Sequence, residues 1–256
     1  MSDNPKDPLL IAVALPMELG GFARRLHVLD HPLALHRVRG CPGLQLVLVG
    51  VGPAASAERL DDVLCVHEFA GVISVGYCGA LVGAGRLGQV VLPDRLVSHH
   101  DTDRTDHPPE VDPTLHNRLA AALSGIDNLA ADATLFTSDH AVFNRPERRM
   151  LHRRYGAHIV DMEAAELARA CRSHDVPFAA VKVISDTCES ELPAGILGAM
   201  GKSGFGLLRY LHRPRTFAHA FKVLLGIARG RIVLGATLQT IARATAPLEA
   251  NRPVSR

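Results

Sequence analysis

GVISVGYCGAL, Gly71–Leu81, opens as an apolar β-branched run and closes on glycines. A short run that is apolar at nearly every position reads as a strand buried on both faces, the kind found in parallel sheets. Outward from it the same pattern recurs at Leu9–Leu15, Gln45–Val49, Gln89–Leu92, Ala133–Phe136 and Phe178–Ile184, beside Gly71–Val75 itself. Between these runs, Met17–Arg25, Ala54–His67, Pro113–Leu123, Pro146–Arg154 and Met162–His174 carry apolar residues at three- and four-residue spacing, which predicts helices. Pro113 and Pro146 fall where the first turn of a helix accepts proline. Strand and helix alternate, so the expected fold is a three-layer α/β/α sandwich around a mixed, twisted sheet.

The chain has 256 residues, 47% of them apolar and 21% charged, which suits one compact domain and excludes a disordered or fibrous protein. Cys41, Cys65, Cys78, Cys171 and Cys188 form an odd set without a C-x-x-C pair, so neither a disulfide framework nor a thiolate zinc site is indicated. A reducing compartment, the cytoplasm, is the expectation. The apolar run after Asp3 and Asp7 lacks a basic start and is broken by Pro16, so it reads as a first core strand rather than a leader.

The formal charge of +2 is unevenly spread: residues 1–191 carry −7 and residues 192–256 carry +9. A basic, apolar tail suits an anionic membrane or nucleic acid, but with 4% aromatic residues and no Trp there is little for bases to stack on, so nucleic acid is not expected. No repeat and no Ser/Gly linker is visible. HHDTDRTDHPP, His99–Pro109, is the clearest surface loop.

Three motif matches dissolve on reading. Gly83, Gly85 and Gly88 fit G-x-G-x-x-G, but QVVLP follows where a dinucleotide site needs a helix. Gly201–Lys202–Ser203 resembles the end of a phosphate-binding loop, yet Ile196 occupies the position of its first glycine. His99, His100, Asp101 and Asp103 contain metal-binding residue types, but adjacent rings point apart on extended chain, and no metal is expected.

Three carboxylates remain at or beyond the ends of predicted strands, where ligand sites of α/β sheets are built. Glu18 follows the first strand, Glu163 opens the helix after Ile159–Asp161, and Asp186 follows Phe178–Ser185. Each alone suits a helix start, which favours negative charge. Together, and with the glycine-rich SVGYCGAL after another strand, they outline a site.

VGYCGAL (Val75–Leu81), VDMEAAELARAC (Val160–Cys171) and VISDT (Val183–Thr187) resemble the three signature regions of the purine nucleoside phosphorylase and nucleosidase superfamily, in particular its methylthioadenosine and adenosylhomocysteine nucleosidase branch. The resemblance runs from about Leu9 to Pro193. It implies a nucleoside phosphorylase-like core over 1–193, a helical extension of the same domain over 194–256, no cofactor, a purine nucleoside substrate and a homo-oligomer. It implies that Asp186 is the acid that protonates adenine N7, holding a proton that burial would favour, and that Glu18 polarises the attacking water. Glu163 would accept hydrogen bonds from the ribose hydroxyls, with Met162 packed on the sugar. Gly76, Tyr77, Cys78 and Gly79 would form a turn along base and ribose, with Ser185 beside the acid. SDHAVFN (Ser138–Asn144) resembles the purine-holding stretch, in which either Val142 or Phe143 meets the base.

Phosphorylases of this superfamily carry an arginine where this chain has Ser74, because a phosphate dianion calls for bidentate cations. Water is therefore the expected nucleophile. Arg24, Arg25 and Arg39 read as solvated residues, and His36, His107 and His140 are side chains that a neighbouring subunit's site could receive.

The apolar runs after Pro193 are too short, and too often interrupted by Arg229, Gly230 and Arg231, to cross a bilayer, which takes about 20 consecutive apolar residues. Phe217, Phe221, Leu224, Leu225 and Ala228 fall at helical spacing, as do Ile232, Leu234, Leu238 and Ile241, which predicts a pair of helices. Their basic, apolar character suits packing on the core or a partner, or peripheral contact with an anionic membrane through the extension. The layout is similar to nucleosidases encoded with hopanoid-lipid synthesis, which implies cleavage of adenosylhopane to ribosylhopane.

Overall fold

The computed structural model describes residues 8–83, 85–99, 109–189 and 214–245, with the side chains of the last segment described at Gly226 and from Ala228 onward. Its strands are β1 (Leu9–Val13), β2 (Leu26–Asp30), β3 (Leu35–Val38), β4 (Cys41–Leu48), β5 (Gly71–Ala80), β6 (Val90–Ser98), β7 (Leu129–Thr137), β8 (Ile159–Asp161) and β9 (Phe178–Asp186). A 3-10 helix spans Pro16–Arg25, and the α-helices are α1 (Pro53–Leu64), α2 (Pro113–Leu123), α3 (Arg145–Tyr155), α4 (Ala164–Ser173) and α5 (Pro214–Thr245).

The sheet runs β2-β3-β4-β1-β5-β8-β7-β6-β9, and β9 also pairs with β5, so five of the strands close into a ring. Closure leaves β5 without a free edge: β1 and β9 lie parallel to it, and β8 crosses its end antiparallel. One face of the sheet packs Leu60 and Val63 of α1 and Leu167 and Cys171 of α4. The other packs Leu19 and Phe22 of the 3-10 helix, Leu115 and Leu119 of α2, and Leu234, Leu238 and Ile241 of α5. This is the expected three-layer mixed-sheet architecture.

Several local expectations change. The glycine-rich end of the decisive segment is no turn: β5 continues through Gly76–Ala80, because pairing with β8 and β9 supplies its backbone with partners. Met17–Arg25 forms a 3-10 helix rather than an α-helix, interrupted at Gly20, whose φ of 51° no regular helix accommodates. β6 passes through Pro93 with shifts of register instead of stopping there. The hairpin β2–β3 is an addition to the expected strands: β2 is short and lies at the sheet edge, where its apolar Val28 and Leu29 are exposed rather than part of a core.

The predicted helix pair of the tail is one continuous helix, α5. Gly230 lies inside it, where the helix crosses the Tyr77 ring. A Cβ at Gly230 would stand 2.8 Å from that ring, and one at Gly226 would stand 2.1 Å from the Ser185 carbonyl oxygen. The loss of helix propensity at a glycine, about 1 kcal/mol, is offset by this close seating. Of the expected apolar set, Leu234, Leu238 and Ile241 are fully buried and Ile232 is exposed. The side chains of Phe217, Phe221, Leu224 and Leu225, the boundary at Pro193, Gly201–Ser203 and the loop residues His100–Pro108, His107 among them, lie outside the described residues.

Gly226→Ala should force α5 away from β9 and lower stability by about 1–3 kcal/mol, the usual cost of overpacking, in urea unfolding. An unchanged midpoint would show that α5 is not seated on Ser185.

Candidate active site

Four strand ends converge. β1 leads through Leu15 into the 3-10 helix that carries Glu18, β5 supplies Gly76–Ala80, β8 ends at Asp161 just before Glu163, and β9 ends at Ser185 and Asp186. The cleft over these ends is lined by Glu18, Tyr77, Cys78, Gly79, Phe143, Met162, Glu163, Ser185 and Asp186. Gly76 lines a smaller cavity directly behind, with Glu18, Ser74, Glu163 and Lys182. The ten residues singled out in the sequence are thus brought to one place, separated by up to 168 positions in the chain.

Two glycines admit the two outer carboxylates. A Cβ at Gly76 would stand 2.9 Å from Glu18 Oε1, and one at Gly79 would stand 2.9 Å from Asp186 Oδ2. Between β5 and β9 the register slips, with Cys78 opposite Ile184 and Gly79 opposite Asp186, so Ser185 is the extra residue of a bulge. Bulges re-aim side chains. Here the Ser185 hydroxyl reaches both Asp186 Oδ1 at 2.8 Å and the Cys78 carbonyl at 3.3 Å.

Glu18 is buried and accepts hydrogen bonds from the amides of Leu15 at 2.9 Å and Tyr77 at 3.0 Å. Burial pushes its proton affinity above the ordinary carboxylate value, against the pull of those amides and of Lys182. Glu163, at the N-cap of α4, accepts from the Gly52 amide at 3.0 Å. Its pKa is raised to about 7 by burial and then by the neighbouring Asp161 charge, with Lys182 opposing.

Lys182, in the middle of the apolar strand β9, is a functional residue that the apolar pattern conceals. Its ammonium is 2.8 Å from Asp161 Oδ2 and donates to the Ser74 hydroxyl at 3.0 Å. Burial works against its charge, but Asp161, Glu163 and Glu18 outweigh that and hold it protonated. Asp161 also accepts from Thr137 Oγ1 and from the Ala164 amide at the start of α4. A single cation inside FAAVKVISD was the available signal.

Arg148 of α3 is the other residue missed. Only 1% exposed, it donates to the carbonyls of Val142, Ala80 and Thr187 and pairs with Asp186 Oδ2. In RPERRMLHRRY it is one arginine among five, and nothing in the sequence separates the buried one from the exposed ones. Asp186 thus reaches the cleft as one half of a buried ion pair, a partner that the sequence does not reveal.

Val142 is buried against Phe136, Leu151 and Val160, while Phe143 is half-buried; both line the cleft. The Tyr77 ring packs toward α5, and burial and Glu18 push its phenol up to about 12. His140 lies at the exposed rim between Asp139 at 2.5 Å and Glu147 at 2.6 Å, which raise its pKa. His36 lies in β3 and His99 stacks edge-on against Phe136; neither lines the cleft. Arg25 donates to the Arg39 carbonyl, and Arg39 bonds His27, so both serve the β2–β3 hairpin region. Among the described residues Asp61, Cys65 and His174 bring their donor atoms within 4.8 Å of one another, outside the cleft. Among the same residues, no helix is long and apolar enough to cross a membrane.

The chain is 24% identical over 178 residues to a 5'-methylthioadenosine/S-adenosylhomocysteine nucleosidase of Shewanella frigidimarina, covering 63% of this chain and 77% of that protein. It is 29% identical over 167 residues to the same enzyme of a Marinomonas species, covering 59% and 72%. In fold it resembles the futalosine hydrolase of Helicobacter pylori, with a TM-score of 0.71 at 14% identity over 93% of this chain and 97% of that one. It also resembles the 5'-methylthioadenosine/S-adenosylhomocysteine nucleosidase of S. pneumoniae, with a TM-score of 0.65 at 20% identity over 91% and 99%. Residues 11–234, from β1 well into α5, match the family described as the Phosphorylase superfamily, and the chain belongs to it.

Proposed function

We propose that this protein hydrolyses the N-glycosidic bond of a 5′-modified adenosine and releases adenine. The observation that carries this reading is the separation of two kinds of carboxylate across one cleft: Glu18 and Glu163 beside Lys182 at one end, Asp186 beside Val142 and Phe143 at the other. Cleavage of a ribosyl C1′–N9 bond places positive charge on the sugar and negative charge on the base. Carboxylates flanking the sugar stabilise the first, and a proton delivered to N7 neutralises the second.

In this mechanism Glu18 accepts a proton from water as the water oxygen bonds to C1′. The C1′–N9 electron pair leaves with adenine, whose N7 takes the proton of Asp186. Glu163 accepts hydrogen bonds from the ribose hydroxyls, and the products are adenine and the free ribosyl compound. Phosphate is the weaker candidate nucleophile. Ser74 is 2% exposed and occupied by Lys182, and that lysine already faces Asp161, Glu163 and Glu18, so a dianion would enter a field of like charge.

The 5′ substituent is read as apolar. Leu15 and Val51 line the cleft next to the groups that hold Glu18 and Glu163, and they remain 38% and 47% exposed. Such a rim suits a thioether or a hydrocarbon. Adenosylhopane is the proposed substrate, on the strength of this rim and of the basic extension, with peripheral membrane contact and a homo-oligomer as parts of the same proposal. The alternative is methylthioadenosine or adenosylhomocysteine, the substrates in the names of the relatives. The burial of Leu234, Leu238 and Ile241 in the core favours that alternative, since it removes them from any lipid surface.

Adenine release should be measured from methylthioadenosine, adenosylhomocysteine and detergent-dispersed adenosylhopane, with and without phosphate. Turnover of adenosylhopane alone is the expected result. Turnover of the small nucleosides would select the alternative, and a sugar 1-phosphate product would overturn hydrolysis. Asp186→Asn should reduce kcat by about 100-fold or more while binding survives, the usual scale for a lost general acid.

Glu163 also couples stability to pH. Its pKa is about 7 in the folded chain against 4.5 ordinarily, so between those values the folded state keeps a proton that the unfolded state has lost. The stability this supplies at low pH is lost as pH rises toward 7. Melting temperature should therefore fall across that window in the ligand-free protein, and Glu163→Gln should flatten the fall.

A further inference from the structure

Asp186 has both carboxylate oxygens engaged: Oδ1 accepts from the Ser185 hydroxyl and Oδ2 pairs with Arg148. Proton donation requires one of these oxygens to carry hydrogen toward the base, so one of the two donors has to turn away first. The two donors differ in freedom. Arg148 is tied at Nε and Nη2 to the Val142 carbonyl, at 3.1 and 2.8 Å, and at Nη1 to the carbonyls of Ala80 and Thr187, both at 2.8 Å. Leaving Asp186 would strand a guanidinium that is 1% exposed. Ser185 has a second acceptor within reach, the Cys78 carbonyl at 3.3 Å, and a hydroxyl turns about one bond.

We propose that Arg148 is a positioning residue for the leaving-group proton: it fixes Asp186 by Oδ2 throughout the cycle, so the transferable proton rides on Oδ1 once Ser185 turns to the Cys78 carbonyl. This rests on the reading of Asp186 as the acid. Arg148 joins the acid to the two segments that flank the base, through Ala80 at the end of β5 and Val142 in SDHAVFN.

The other groups facing this pair have separate effects on a pH profile. Cys78 of β5 is fully buried and its thiol is pushed up, so it stays neutral. Lys182 of β9 and Asp161 of β8 form an ion pair, and Glu18 and Glu163 lie at the sugar end. The last two must be ionised to act, so they shape the acid limb, whereas loss of the proton from Asp186 shapes the alkaline limb.

The experiment is a pH profile of kcat/KM for the parent, Arg148→Gln and Arg148→Lys, with the nucleoside from the panel above that releases adenine fastest. Arg148→Gln should lower kcat about tenfold or more and move the alkaline limb upward by about one pH unit or more, because the cation opposing protonation is gone. Arg148→Lys, which keeps the charge but not the fork, should lower kcat and leave the limb in place. With a p-nitrophenyl ribofuranoside bearing the same 5′ group, whose leaving group needs no proton, Arg148→Gln should match the parent. Adding Arg148→Gln to Asp186→Asn should cost nothing further.

A folded Arg148→Gln with the parental profile would overturn the proposal. So would an equal loss on the p-nitrophenyl substrate, which would make Arg148 a support for the cleft as a whole. If Arg148→Gln fails to fold, Arg148→Lys decides: a displaced alkaline limb in that variant overturns the proposal. Should Asp186→Asn itself turn over like the parent, the assignment of the acid fails, and that result is distinct from all of these.

Discussion

The Lys182 ammonium, 2% exposed in the middle of β9, is the charge around which the Glu18 and Glu163 end of the cleft is assembled. Three carboxylates, Asp161, Glu163 and Glu18, face it from three different elements, and without a cation their burial together would be prohibitive. The geometry is tightly determined. Asp161 binds the lysine, the Thr137 hydroxyl and the first amide of α4, so the same ion pair that neutralises the site also fixes where α4 begins and hence where Glu163 stands. With one cation facing three acids, burial raises the proton affinity of both Glu18 and Glu163, the latter to about 7.

At the other end the constraint is steric. β5 must approach both Glu18 and Asp186 closely enough that any side chain at Gly76 or Gly79 would overlap a carboxylate. The closed ring of β5, β8, β7, β6 and β9 holds β5 in that position from both sides. α5 adds a backing, with Gly226 against the Ser185 carbonyl and Gly230 against Tyr77. The residues that contact Asp186 most closely, Ser185 and Arg148, are therefore placed by backbone contacts, which vary little with side-chain motion.

Much of this was legible in the sequence, for identifiable reasons. The strands β1, β5 and β9 are buried on both faces and so read as continuous apolar runs, and the carboxylates at their ends stand out against that background. Asp186, Glu18 and Glu163 could be named because each follows a strand that could be named. Arg148 could not, since its significance lies in a partner 38 residues away, and Lys182 shows only as a lone cation in an apolar strand, its partner standing 21 residues away. Periodicity records which face of an element is buried. It does not record which buried polar atoms meet, and in β2, at the sheet edge, the apolar Val28 and Leu29 are exposed and mark no core.

The distribution of charge follows from these contacts and bears on the chemistry. Had a cation faced the sugar without compensation, it would have favoured an anionic nucleophile and opposed a positive ribosyl group. Lys182 is instead outnumbered by carboxylates, which suits water and the developing oxocarbenium. Arg148, 1% exposed, is paired with Asp186, so its charge is spent on the carboxylate it fixes and not on the cleft at large. The two ends of the cleft therefore differ in kind: Glu18 and Glu163 share one compensating lysine with Asp161, whereas Asp186 has a guanidinium of its own. An excess of carboxylates over cations at the first end is what a positive charge developing on a bound sugar would call for.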